Sequence, residues 1–202
     1  MGAGARLIGA REYQQCLDEP LRVIDGLADF GGHRHQFLAR ANQARARALP
    51  LDLAAVAEDA LEGRPGNGIT TATTLGEAPV TGDGVLLERL IANLLDNAER
   101  YNIAGGTVTI STTAHDATSA LRVVNTGAVI PADMVERLFL PFTRLDDRTR
   151  HDGFGLGLTL VSSIATAHNG TVHATAISTG GLDITVCLPR RNNTVTPASP
   201  AT

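Results

Sequence analysis

Residues 93–102 read NLLDNAERYN. They close a longer apolar pattern in which Leu87, Leu90, Ile91, Leu94 and Ala98 fall on one stripe at 100° per residue, which predicts an α-helix over 84–102 capped by Asp83. Asn93, Asn97, Arg100 and Tyr101 make a second row along the edge of that stripe, so two amides, a cation and a phenol share one rim. On spacing alone, two readings of the asparagine pair stand. An exposed flank or a cap accommodates it without further consequence. Alternatively, two amide oxygens at i and i+4 suit Mg²⁺, which prefers oxygen ligands, keeps several waters and takes the rest of its octahedron from substrate phosphates.

Further along, HDGFGLGLTLVSSIA (151–165) sets Gly153, Gly155 and Gly157 at alternate positions directly before a helical pattern that ends near Asn169 and Gly170. Glycines let the backbone approach a ligand closely, and the free N–H groups of a helix's first turn attract anions, so the arrangement suits a di- or triphosphate. A plain flexible turn ahead of a helix has the same sequence. The stretch is neither a Rossmann fingerprint, because charged loop rather than strand precedes it, nor a P-loop, because GK[ST] is absent. Between the two motifs lie strand-like segments at 106–114 and 119–125, then NTGAVIPADMVERLFLPF (125–142), where Gly127 permits a bend and Pro131 fits the first turn of a short helix through Leu138. Strand patterns recur at 171–176 and 182–188, and Asp52 can cap a helix over 53–62.

Composition bounds the rest. The 202 residues suffice for one ordinary domain plus an extra element. A hydrophobic share of 43% with 19% charged is globular, while aromatics at 3% leave small aliphatics to pack the core. The formal charge of -4 supplies no basic field for nucleic acid or an anionic membrane, so phosphate chemistry requires a local site. No run approaches the roughly 20 apolar residues that span a bilayer. Cys16 and Cys187 form no CxxC and read as two buried free thiols. Residues 12–48 are helical in tone, with Leu17, Leu21, Ile24 and Leu27 on a stripe that wants a partner, and RNNTVTPASPAT (191–202) is a polar tail.

Together the motifs resemble the ATP-binding catalytic domain of sensor histidine kinases, in the superfamily that also holds gyrase, Hsp90 and MutL ATPases. NLLDNAERY resembles the N box, NTGAVIP the G1 box, LFLPF the F box and GFGLGL the G2 box, in family order and spacing over roughly 51–190. The resemblance implies an α+β fold, a two-layer α/β sandwich (the Bergerat ATP-binding fold) with three helices over a mixed sheet of about five strands. It divides the chain into an N-terminal helical segment (1–50) left from a dimerisation hairpin, a catalytic domain (51–190) and a disordered tail (191–202). ATP and Mg²⁺ are the implied ligands. Carried onto this sequence, Asn97 ligands Mg²⁺ with Asn93 beside it, and Arg100 joins them as the catalytic group. Arg100 and Tyr101 contact nucleotide, as do Asn125, Gly127 and Ile130 of the G1 box. Gly153, Phe154, Gly155, Leu156 and Gly157 wrap the phosphates, 143–152 forms a lid, and Thr185 matches a family position near the adenine.

Two departures from the family pattern stand out. Asn125 replaces the usual Asp that accepts from the adenine amine, and Val129 replaces that box's second Gly; an amide carbonyl accepts the same bond without a charge. No His in the chain opens the H-box pattern His-[Asp/Glu]-x-Arg-x-Pro, and His33, His35, His115 and His151 read as solvated loop residues. Relatives that hydrolyse ATP place a Glu general base where Asn93 stands. An amide cannot take a proton at neutral pH, so slow hydrolysis is expected, while a neutral imidazole acceptor is its own nucleophile. The expectation is a catalytic, ATP-binding subunit of a split two-component kinase. It transfers the γ-phosphoryl group to a His on a separate phosphoacceptor protein, which passes it to a response regulator. A degenerate regulatory ATP-binding module and a truncated piece of an ordinary sensor kinase are the alternatives. A cytoplasmic location, a homodimer through the N-terminal helix, no nucleic-acid partner and no membrane span complete the expectations.

Overall fold

The computed structural model describes residues 47–64, 68–140 and 156–191. The stripe from Leu17 to Leu27, the lid with Gly153, Phe154 and Gly155, and the tail from 192 onward lie outside the described residues. Asp52 ends β1 (Leu49–Asp52) and opens α1 (Leu53–Leu61). Its Oδ1 accepts from the N–H groups of Ala54 and Ala78, each at 2.9 Å, so one carboxylate caps the helix and fixes the approach to β3 (Pro79–Gly82). β1 and β3 pair antiparallel as a small separate sheet. Asp83 then caps α2 (Gly84–Arg100), accepting from Val85 and Leu86 N–H at 3.1 and 3.3 Å. Both caps stand where the sequence puts them. α2 stops at Arg100, with Tyr101 as its C-cap, slightly short of the expected end.

The main sheet contains β2 (Thr70–Leu75), β4 (Thr107–His115), β5 (Thr118–Asn125), β6 (Thr171–Ala176) and β7 (Leu182–Pro189) in the order β2-β4-β5-β7-β6. β2 runs parallel to β4 and the remaining pairs are antiparallel, so the sheet is mixed as expected. α2 and α3 (Gly157–Ala167) cover one face. There Leu87, Leu90, Ile91, Leu94 and Ala98, each at most 1% exposed, meet Val108, Ile110, Leu121, Val123, Ile184 and Val186. Each buried aliphatic side chain of this size contributes about 2 kcal/mol by leaving water. The result is a two-layer α+β sandwich.

Three local expectations are corrected. The segment after Pro131 forms two 3-10 turns, Ala132–Met134 and Glu136–Phe139, in place of one short helix. Pro131 stays extended at ψ 135, and bonds from Met134 to Pro131 and from Leu138 to Val135 close three-residue turns. β1, β2 and β3 carry no pattern that the sequence reading picked up. Cys187 is buried at 3% exposure and is disulfide-bonded rather than a free thiol, and the Cys16 half of that expectation lies outside the described residues.

Candidate nucleotide-binding site

The row on α2 is intact. Asn93 and Asn97 are half-buried, while Arg100 and Tyr101 are exposed at the helix end. Asn93 Nδ2 donates to Arg89 O at 2.6 Å within α2, which turns Oδ1 outward toward the start of α3. A methyl group added to Gly157 would stand 3.4 Å from that oxygen, so the first turn of α3 begins against Asn93. Leu156, the N-cap, provides no side-chain acceptor, and the first-turn N–H groups of α3 keep their affinity for an anion. Thr159 Oγ1 donates to Phe139 O at 2.9 Å, tying that turn to the wholly buried Phe139.

The other end of the row meets the loop after β5. A methyl on Gly127 would come within 2.7 Å of Tyr101 O and 3.3 Å of both Asn125 Nδ2 and Gly181 Cα. Gly181 N–H donates to Ala128 O at 2.9 Å, so the β6–β7 turn lies directly under this loop. Asn102 fastens the corner: its Oδ1 accepts from Ile103 N–H and Thr126 Oγ1, and its Nδ2 donates to Thr107 O at 3.0 Å. From Asn93 to Tyr101 the helix rises about 12 Å. An anion-seeking helix start thus faces one end of the row, and a closely packed loop with a buried amide faces the other.

Residues 82–192 match the family model described as histidine kinase-, DNA gyrase B-, and HSP90-like ATPase, over half of the chain. The chain belongs to this family. It is 43% identical over 159 residues to the sensor protein CutS of Streptomyces coelicolor, covering 75% of this chain and 38% of CutS. The chain therefore spans well under half the length of that relative. Among solved structures it is similar to the mycobacterial sensor histidine kinase MprB, with a TM-score of 0.64 and 28% identity over 71% of this chain and 98% of that one. It is also similar to the histidine kinase domain of the E. coli osmosensor EnvZ, with a TM-score of 0.53 and 31% identity over 76% and 93% of the two chains. Residues 82–192 are accordingly a histidine kinase ATP-binding catalytic domain.

Within this ATPase domain the two departures of the G1 box find physical accounts. Asn125 is buried at 5% exposure, and its Nδ2 donates to Thr126 O at 2.8 Å, which leaves Oδ1 as an acceptor. Val129 is 68% exposed, so its side chain meets solvent rather than the packed loop. Ile130 is half-buried against the core. Thr185 is buried at 4% exposure in β7. It pairs in register with Arg122 and His173, on the face away from α2 and α3, while Ile184 and Val186 point to the helices. That outer face carries the two-pronged ion pair of Arg122 with Asp183, at 2.9 and 2.6 Å.

Sequence reasoning missed Asn102, Thr126, Thr159, Gly180, Gly181 and Arg64. The Thr-Gly-Gly run before β7 is a turn signal that pointed to the glycine pair. Arg64 reaches α2 from the end of α1, donating to Asp96 and Glu99 at 2.7 Å each and to Ala92 O at 3.3 Å. Burial pulls its guanidinium down, but the hydrogen bonds and charges of the two carboxylates outweigh that and hold it above its ordinary value.

Proposed function

We propose that this chain binds Mg-ATP along the Asn93–Tyr101 row and donates the γ-phosphoryl group to a histidine on a separate phosphoacceptor protein, which then phosphorylates a response regulator. The observation that carries the reading is the placement of the row between Gly157 at one end and Asn125, Gly127 and Gly181 at the other. Adenine lies at the Asn125 end, where Oδ1 accepts from its amine. The phosphates lie at the Asn93 end, where the α3 N–H groups meet them. Asn97 and Asn93 would hold Mg²⁺ through amide oxygens. Mg²⁺ bound through two amides would take the rest of its ligands from water and phosphate. Mg²⁺ bound there supplies charge neutralisation on the transferring group.

The chain's own contribution is alignment. Asn93 offers no base, so water is not activated, and an imidazole brought to the γ-phosphorus needs none. No residue of the chain opens an H box, which supports an acceptor supplied from outside these residues. Two measurements test the reading. In calorimetric titration with a non-hydrolysable ATP analogue, binding should require Mg²⁺, and Asn97→Ala should abolish that requirement together with most of the affinity; equal binding by both proteins with and without metal would sink the site. With radiolabelled ATP the chain alone should stay unlabelled, and a cognate His-bearing helical protein should gain acid-labile, base-stable phosphate. Self-labelling that His33→Gln or His35→Gln removes would overturn the acceptor in trans. Mg-ATP binding without any transfer would favour a regulatory module.

A further inference from the structure

His168 closes α3 at the end remote from the phosphates, yet both of its ring nitrogens are engaged and it is only 8% exposed. Nε2 accepts from the backbone N–H of Asp83 at 3.0 Å. That bond fixes the tautomer, so Nδ1 carries the proton and donates to Ile164 O at 2.8 Å. The ring thereby joins the last turn of α3 to the N-cap of α2. It also lies directly on the backbone entering α2, because a methyl on Gly82 would meet His168 Cδ2 at 2.7 Å and Nε2 at 2.9 Å.

α2 and α3 are antiparallel and meet at two defined points. One is His168 against Gly82 and Asp83; the other is Gly157 against Asn93 Oδ1. Between them the interface is apolar, with Leu158, Val161 and Ala165 in the common core. Apolar packing is non-directional and resists sliding weakly, whereas a hydrogen bond between fixed donor and acceptor defines an axial position. The 11 residues of α3 transmit that position over about 16 Å, since a helix is stiff along its axis.

We propose that His168 is a positioning residue for the nucleotide site: its bond to Asp83 N–H holds α3 in axial register with α2, so that the first-turn N–H groups of α3 stay opposite Asn93 and Asn97. The proposal rests on the nucleotide reading of that site. A histidine that merely fills the core would stabilise the fold and leave the site of the folded protein unchanged.

Paired substitutions separate the two. Gln reaches the place of Nε2 and can accept from Asp83 N–H, whereas Asn reaches only the place of Nδ1 and keeps the Ile164 contact. In the full chain, folded His168→Asn should bind the Mg²⁺ complex of the non-hydrolysable ATP analogue about tenfold more weakly, the scale of one lost hydrogen bond, while His168→Gln stays within about threefold. Without nucleotide, the amide NMR signals of Asn93 and Leu158 should move in His168→Asn and in Gly82→Ala, which displaces the ring from the other side, and hold still in His168→Gln. Lowered melting temperatures in all variants, with unchanged affinity and unmoved Asn93 and Leu158 signals, would overturn the proposal. If the parent chain fails to bind the analogue, the nucleotide reading fails, and the NMR comparison still decides whether His168 sets the register.

Discussion

Asn125 stands where the family resemblance leads one to expect a carboxylate, and makes a bond that a carboxylate cannot make. Its Nδ2 donates to Thr126 O, so Asn125→Asp would set an oxygen against that carbonyl. The exchange should lower stability by about 1 kcal/mol in urea unfolding and preserve Mg-ATP binding through the remaining oxygen; a more stable variant would show that the local bond is not what holds the amide. Gly181 is constrained more severely. Its φ is +105, and a methyl there would collide with the backbone carbonyl of Asn125, which cannot retreat without pulling β5 out of register. Gly181→Ala should cost at least about 2 kcal/mol and weaken nucleotide binding with it, measured by thermal melts and calorimetry on the folded fraction. Asn93 and Asn97 stand out in the sequence by helical angle, and Asn125 and Gly127 by the spacing of the boxes. The face that Thr185 takes was not legible, because a strand's two faces look alike until its neighbours are known.

At the level of elements, α2 carries the proposed site and is held from three sides: by the Asp83 cap, by His168, and by Arg64, whose side chain is 19% exposed. Arg64→Met would leave Asp96 and Glu99 without their shared cation beside a half-buried helix flank. Equilibrium unfolding should then show a loss of about 1–2 kcal/mol with an unchanged denaturant slope. A loss below about 0.3 kcal/mol would reduce the clamp to an ordinary surface ion pair. α2, α3 and β4 to β7 were readable because each alternates apolar and polar positions at its own period over a core-facing side. β2, TTATTL, lies at the sheet edge with threonines facing both ways, so no period marks it. β1 and β3 are four residues each and contain Pro50 and Pro79, which argue against strands until their edge positions are known.

The proposed nucleotide site is assembled from α2, the loop after β5, the start of α3 and the β6–β7 turn, segments far apart in the chain. A ligand that touches all of them binds only the folded state and therefore stabilises the entire domain. At a concentration of 100 times the dissociation constant the linkage amounts to about 2.7 kcal/mol, which in a domain of this size corresponds to a rise in melting temperature of roughly 5–10 °C. ATP itself can serve as the ligand, because Asn93 provides no general base and hydrolysis during the scan should be slight. The rise should need Mg²⁺ and vanish on chelation. Gly157→Ala separates folding from binding: the nearest atom to its new methyl, Asn93 Oδ1, stands at an ordinary 3.4 Å, and Ala is the better helix former, so the ligand-free melt should stay level or rise. The same methyl sits where phosphate approaches the α3 N–H groups, so the Mg-ATP shift should shrink to less than half. A full shift in Gly157→Ala, or one that survives chelation, would place the phosphates elsewhere than between α2 and α3.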